Sequence, residues 1–286
     1  MEQKSSNAIL KARSASLDSL FFEVEQIELN ENREILSDHI FANQYSSAIY
    51  CPTMNKVLHM AGSKYQLVTN EQLIMPIYDK LNAMFGKSGF TVQCKNEDDR
   101  RFSAQFVLTD KVIQVADKDA LNAMIEVQNS YDGSLQHSMA LSYYRQVCTN
   151  GMMAWKKETQ IAQRHDKDFL FNLDKILVRL DALDVQLHEF RKLTDRTVTS
   201  KEMEQIMERL KEFKNHDAFP KKIIQEVPLK VYQEAEQLKT KPNAWLLYNG
   251  FNYFLNHDQR IGLGMDSIER IDRNVLRVIQ QELVLN

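Results

Sequence analysis

The sequence predicts an α+β protein, with an antiparallel sheet and helices in the N-terminal half followed by a largely α-helical C-terminal half. Three observations lead there. Apolar residues alternate with a period of two from Phe90 onward, the pattern of strands with one buried face. Beyond Trp155 the period becomes helical, and Phe169, Leu173, Ile176, Leu177, Leu180, Leu183, Leu187 and Phe190 form one sustained stripe. Capping and turn residues stand where the period changes. The expected organisation is an N-terminal arm over residues 1–45, an α+β domain over 46–155 and a helical region over 156–286.

Each element has its own signal. Leu17, Leu20, Phe21, Val24 and Ile27 follow helical spacing and predict an amphipathic helix over Leu17–Glu28 in the arm. Ser46–Tyr50 and Lys56–Met60 read as strands around a hairpin turn at Cys51-Pro-Thr-Met-Asn. Asn70 is placed to cap a helix carrying Leu73, Ile74, Ile77, Leu81 and Met84 on one face and stopping at Gly86. Phe90, Val92 and Cys94 alternate, Asn96–Arg100 makes a charged turn, and Phe102, Ala104, Phe106 and Leu108 alternate again. Lys111–Val115 and Ala123–Gln128 extend the sheet, and Tyr131-Asp132-Gly133-Ser134 is a tight turn needing positive φ at Gly133. Ser138–Val147 is its last long strand.

In the C-terminal half, Thr199 and Glu202 form a capping box opening a helix to about Lys214. Pro220 and Pro228 break the chain. Two more helices are expected at Asn243–Asn256 and Ser267–Leu283, the second capped through Asp266 and Glu269.

Composition narrows the function. The chain has 286 residues, 43% hydrophobic and 26% charged, as in an ordinary soluble globular protein of one large or two modest domains. Its net charge of −3 hides little asymmetry: residues 1–155 hold 14 Lys+Arg against 18 Asp+Glu, and residues 156–286 hold 22 against 21. With a pI near 6.2, the protein does not coat DNA through bulk charge, so any nucleic acid must be held by a local patch. Three dispersed cysteines fit reduced thiols. No run approaches 18 apolar residues, and the charged N-terminus lacks an apolar core. A cytoplasmic protein of a bacterial host cell, with no membrane partner, is expected.

Familiar catalytic and cofactor patterns fail on inspection. Gly86-Lys87-Ser88 suggests a phosphate-binding loop, but the required earlier glycine is Leu81, inside a helix. No two histidines stand at metal-ligand spacing, so neither metal nor cofactor is expected. His165-Asp166 and His257-Asp258 read as capping chemistry beside helix boundaries. Cys148, three residues after Arg145 and just before Asn150, has the surroundings of a thiolate but lacks a nearby base, which favours a packed cysteine and a protein that is not an enzyme. Arg145, on a strand ahead of a helix, can hold a phosphate or pair with a carboxylate such as Asp132.

Basic residues gather around the hairpin and the strand-to-helix transition: Arg100, Arg101, Lys111, Arg145, Lys156, Lys157 and Arg164, with Lys87, Lys95 and Lys167 nearby. Phe90, Phe102, Tyr143 and Tyr144 are interleaved, the combination that single-strand binders use. Alternation nevertheless directs Phe102 and one of the two tyrosines into the core.

Several motifs carry a resemblance. Asn129-Ser-Tyr-Asp132-Gly133-Ser134, Arg145-x-Val-Cys148-x-Asn150, Tyr65-x-x-Val68-x-Asn70-Glu71 and Ala244-Trp245-x-x-Tyr248-Asn249 resemble the uncharacterised phage/plasmid-like protein family of mobile elements. Tyr131 stands where relatives commonly carry histidine, and His165 matches a histidine often seen in the family. The resemblance implies an origin and a structural role for Asp132, Gly133, Cys148, Asn150, Trp245 and Asn249. The segment Phe85-Gly86-Lys-Ser-Gly89-Phe90, running from a helix into a hairpin, is similar to the core of single-strand annealing recombinases. That likeness implies a homo-oligomer binding single strands through its basic residues, which contact phosphates rather than bases. The expected function is single-stranded nucleic-acid binding, with annealing, in recombination or replication. The alternative is an interaction protein that binds a host or phage complex.

Overall fold

The N-terminal segment that is spaced like a helix is extended. In the computed structural model, which describes residues 13–29, 45–145, 150–153, 160–165, 183–214, 218–258 and 265–283, Arg13–Ala15 is strand β1 and Glu25–Glu28 is strand β2. Between them lies a single 3-10 turn at Asp18–Leu20. The expected helix over Leu17–Glu28 is therefore absent, because β2 finds an antiparallel partner in β3 (Ser47–Cys51). Gln26 secures it: its amide donates to Ser47 Oγ at 2.7 Å and the Tyr65 carbonyl at 3.1 Å, and accepts from the Leu67 N–H at 2.9 Å. β3 turns at Pro52–Asn55 into β4 (Lys56–Ala61), completing a three-stranded sheet.

Helix α1 spans Asn70–Phe85, and its cap is Thr69, one residue before the expected Asn70. Thr69 Oγ1 accepts from the Gln72 N–H while the Gln72 side chain accepts from the Thr69 N–H, a reciprocal capping box. This leaves the Asn70 side chain free for a longer-range role. Leu73, Ile74, Ile77 and Leu81 are buried as expected, whereas Met84 is 51% exposed.

The larger sheet is antiparallel and has seven strands among the described residues. After β1 come β5 (Phe90–Glu97), β6 (Arg101–Ala116), β7 (Asp119–Ser130) and β8 (His137–Arg145), and then two short strands, β9 (Asn150–Met153) and β10 (Gln160–Gln163). Their order is β1-β5-β6-β7-β8-β10, with β9 also on β8. Asp98 and Asp99, both at φ +56°, make the β5–β6 turn. The separate strand expected from Lys111 is the far end of β6, beyond a break in register between Val107 and Val112.

β8 shares one edge between two partners: β9 pairs with Ser142–Arg145 and β10 with His137–Ala140. The sheet thus continues past residue 155, where the α+β domain was expected to end. Both faces of its centre are buried, although alternation predicts only one. One face carries Phe102, Ala104, Phe106, Leu121, Ala123, Ile125 and Val127; the other carries Ser103, Gln105, Glu126, Ser138 and Ser142. Glu126 is kept satisfied there by Ser103 Oγ at 2.8 Å and Gln105 Nε2 at 3.2 Å.

The chain divides into two compact units, one covering Ser14–His188 and the other the residues from Glu189 on. α2 (Leu183–Asp195) crosses this boundary, and the stripe from Phe169 to Leu180 lies outside the described residues. The second unit continues with α3 (Ser200–Lys211), α4 (Val227–Leu238), α5 (Ala244–His257) and α6 (Met265–Leu283). The capping box of Thr199 and Glu202 forms as expected. Pro228 does not break the chain; it occupies the first turn of α4, where no N–H is needed. Asn243 caps α5, and α6 begins at Met265, so Asp266 lies within its first turn. No described helix is long and apolar enough to cross a membrane.

Trp245 packs against Phe190 with ring centroids 5.0 Å apart, and Phe219 meets Phe251 edge-on at 5.0 Å. A Cβ on Gly250 would lie 3.1 Å from Val231 Cγ2, so glycine lets α4 approach α5 closely. Beneath them, buried Asp272 accepts from the Tyr248 hydroxyl at 3.1 Å and from Asn252 Nδ2 at 2.7 Å. Burial pushes its carboxyl up to about 7, and these hydrogen bonds offset only part of the rise.

Candidate functional site

Segments far apart in sequence meet beside the turn between β7 and β8. Asn129, near the end of β7, donates from Nδ2 to the Val68 carbonyl at 3.0 Å and to Asn70 Oδ1 at 2.9 Å. Asn70 in turn donates from Nδ2 to the Leu20 carbonyl at 3.0 Å and from its backbone N–H to the Tyr131 hydroxyl at 2.9 Å. Tyr131 is fully buried, with its ring 4.9 Å from that of Phe102 and 5.7 Å from that of Phe22. These bonds tie the start of α1 to the end of β7: the Asn70 side chain both donates and accepts within the core, and the Asn129 amide nitrogen spends both of its hydrogens on the connection.

The turn braces itself. Ser130 Oγ donates to the Leu135 carbonyl and accepts from the Leu135 N–H, both at 3.0 Å. Asp132 Oδ1 accepts from the Ser134 N–H at 2.9 Å and from the Ser134 hydroxyl, while Arg101 Nε donates to Asp132 Oδ2 at 3.2 Å. Burial alone would raise the Asp132 carboxyl, but Ser134 and Arg101 together hold it below the usual carboxylate range. Gly133 has φ +67°, and a Cβ there would lie 2.9 Å from His59 Nε2. Glycine is therefore required twice over, by conformation and by space.

Next to this turn, the Tyr65 and His165 rings stack with centroids 4.9 Å apart and 8° between planes. The Gln66 N–H donates to the His165 carbonyl at 3.1 Å and sets the two side by side. His137 meets His165 edge-on at 4.7 Å, and His59 lies 5.5 Å from Tyr65. A cavity of about 410 Å³ opens here, with Tyr65, His165, Gly133, Ser134 and Gln136 in its wall and the exposed Lys64 and Arg164 beside them. Neither cation enters an ion pair among the described residues.

Burial lowers the His165 pKa; the Leu135 and Gln66 peptides and Asp132 oppose this weakly, and His59 adds to it. Burial likewise lowers His59 against the pull of Asp132, and raises the Tyr65 hydroxyl. His165 is only 9% exposed. Although the Leu135 and Gln66 peptides face it, neither ring nitrogen has a hydrogen bond among the described residues, and the same holds for the Tyr65 hydroxyl. Each such buried group costs about 1–3 kcal/mol when left unanswered. Among the described residues, no group of three His, Cys, Asp or Glu side chains is arranged to hold a metal ion.

The residues expected to bind nucleic acid are dispersed. Arg145 is fully buried, its Nε 2.9 Å from both carboxylate oxygens of Asp119. This corrects the expectation that Arg145 offers itself to a phosphate: it serves a carboxylate, which is Asp119 rather than Asp132. Arg101 is engaged by Asp132 and Glu97, and Arg100 lies 3.9 Å from Asp98, so the hairpin tip is largely neutralised by its own acids. Lys111 is exposed where the β6 register breaks. Among the described members of the set, Arg164 alone lines the cavity.

Lys156, Lys157 and Cys148 lie outside the described residues, as does the Asn150 side chain, although Asn150 pairs with Arg145 across β8 and β9. Of the interleaved aromatics, Phe90, Phe102 and Tyr143 are core residues, as alternation predicts for Phe102 and for one of the two tyrosines. Tyr144 is half-buried, its hydroxyl accepting from Gln93 Nε2 at 3.0 Å. Sequence reasoning missed Tyr65 and His165 as a ring pair; their only signal was membership of separate motifs. Trp245 and Asn249 belong to the helical unit, where Asn249 Nδ2 donates to the Trp245 carbonyl at 2.8 Å inside the core.

The motifs that converge here lie within a longer match. Residues 57–283 match the family described as Domain of unknown function (DUF932). The chain belongs to that family. The DUF932 match runs from β4 to the end of α6 and so takes in both compact units. No curated protein matches the chain, and no solved structure does.

Proposed function

We propose that this DUF932 protein binds single-stranded nucleic acid, as a phage or plasmid factor that acts, and anneals strands, in recombination or replication. The observation that carries the reading is the cavity beside the Asp132 turn, where two exposed cations flank a wall holding the stacked Tyr65 and His165 rings. A strand needs that pairing of phosphate contacts with a polarised aromatic surface. The weakly negative chain makes a confined contact the reasonable form of binding, with Lys64 and Arg164 taking over from the neutralised hairpin arginines. Lys111 and, by sequence, Lys156 and Lys157 extend the basic contribution, and a homo-oligomer would repeat it along a strand.

Fluorescence anisotropy of a labelled single-stranded oligonucleotide, with duplex as comparison, tests this. Affinity should fall with salt by about 0.7 in log K per log salt for each phosphate held. Lys64→Ala/Arg164→Ala should weaken binding and flatten that slope, whereas Arg100→Glu should change it little. Absence of single-strand binding at micromolar protein overturns the reading. It would leave the alternative, an interaction protein for a host or phage complex, whose support is the pair Leu229 and Tyr232, 62% and 44% exposed one turn apart on α4.

A further inference from the structure

Three histidines from separate parts of the chain share one row of rings. β10 runs antiparallel to β8 and ends with Gln163 opposite His137, which sets His165, two residues further on, against the first side chain of β8. Those two rings meet edge-on at 4.7 Å. From the other side the chain turns after β4, the Tyr65 N–H donating to the Gly62 carbonyl at 3.0 Å, and lays the Tyr65 ring flat on His165. His59, on β4 itself, completes the row 5.5 Å from Tyr65, with its Nε2 close over Gly133.

The row offers little to balance an added proton. His137 is fully buried and His165 nearly so. Facing His165 are the His59, His137 and Tyr65 rings, the Leu135 and Gln66 peptides and the Asp132 carboxylate, with Arg164 and Lys64 in the same cavity wall. Asp132 is the one anion of this group, and Ser134 and Arg101 already draw on it. A proton on one imidazole therefore joins two existing cations, and a second proton meets the first across a ring contact. Burial lowers the pKa of both His165 and His59, so the row is neutral near pH 7.

The neutral row fastens something. The Gln66 N–H donates to the His165 carbonyl at 3.1 Å, joining the segment after β4 to the end of β10. The neighbouring fastenings are neutral and do not titrate in this range: the Leu67 N–H donates to Gln26 Oε1, and the Asn70 N–H to the Tyr131 hydroxyl, both at 2.9 Å.

We infer that His59, His137 and His165 form an acid-released joint, which holds the segment after β4 against the end of β10 in neutral solution and lets it go when the rings take up protons. The joint stands on ring packing and does not depend on the cavity's ligand. Released rings regain the ordinary histidine pKa of about 6.5, so the closed form is fully favoured above that value and loses ground as pH falls through it. Because Tyr65 and His165 both line the cavity, release opens its wall.

Amide hydrogen exchange of the full chain, read by NMR at about pH 7.5 and about pH 5 as protection over the unstructured rate, tests the joint. Protection at Gln66 should fall roughly tenfold for each pKa unit between closed and released rings, while that at Asn70 holds. The midpoint should coincide with the titration of a histidine Cε1–H signal and not with that of Asp132, whose carboxyl stays ionised there. His165→Phe keeps a ring against Tyr65 but takes no proton, and should leave Gln66 protected at both pH values. The wild-type midpoints decide the matter by themselves if that variant does not fold. Unchanged protection at Gln66 overturns the joint, as does a loss that survives His165→Phe, that follows a carboxylate midpoint or that extends to Asn70 as general acid unfolding.

Discussion

Asp132 in the sheet unit is partly buried and Asp272 in the helical unit is fully buried, and their carboxyls respond in opposite directions. Asp132 accepts from the Ser134 N–H and hydroxyl and from the Arg101 guanidinium, and its carboxyl stays below the usual range. Asp272 accepts from a neutral hydroxyl and a neutral amide, and its carboxyl rises to about 7. Burial pushes both upward; the difference lies in the charge of the donors and in depth. The turn beside the cavity is thus held ionised and fixed, whereas the helical core carries a proton that comes off near neutrality.

The strongest challenge to this comparison removes a cation from a buried carboxylate. Arg145→Met leaves Asp119 buried without its partner and should destabilise the protein by about 3–5 kcal/mol in urea unfolding, with Asp119→Leu in the same chain restoring much of the loss. Asp272 gives the next effect. Its folded pKa of about 7 exceeds an unfolded value near 4, so the unfolded chain ionises first. Stability should fall by on the order of 4 kcal/mol as pH rises between those values and then level off. Asp272→Asn should abolish that slope; a slope that survives would refute the assignment.

Gly133→Ala is smaller and local. The left-handed backbone and the approach of His59 Nε2 should together cost about 1–3 kcal/mol, read as a lower Tm. Smallest is Ser134→Ala, expected to cost about 1–2 kcal/mol for a hydrogen bond to a charged group. It should also raise the Asp132 pKa, followed by carboxyl NMR titration. Because that pKa is depressed, the contribution exists above the unfolded value and disappears as pH falls through the folded one, so the two proteins should converge in acid.

What could be read from the sequence was local. The Asn96–Arg100 turn, positive φ at Gly133, the Thr199 capping box and the buried face of α1 depend on residues within a few positions of one another. Leu17–Glu28 failed because its helical spacing competes with a β-strand partner supplied by Ser47–Cys51, which no local pattern records. Alternation over β6–β8 exposed one face in the reading and buried two in the fold, since polar residues such as Ser103, Gln105 and Glu126 satisfy one another out of water. Arg145 drew attention for its place on a strand ahead of an expected helix, but Asn150–Met153 is the strand β9, and the partner of Arg145, Asp119, lies 26 residues earlier across the sheet. The cavity joins Tyr65, Gly133 and His165, and only the family motifs hinted that these positions belong together.

The divided edge of β8 bears on how the protein behaves when concentrated. Long, flat, unpaired strand edges invite another chain to zip onto them. Among the described residues, the seven-stranded sheet ends on one side with β1, three residues long, and on the other with β9 and β10, four residues each. Pieces this short give an incoming strand few hydrogen bonds in register before the ladder stops. Fusing β9 and β10 into one uninterrupted strand would remove that safeguard, and the aggregation such a variant showed would measure how much solubility the interruption had been providing.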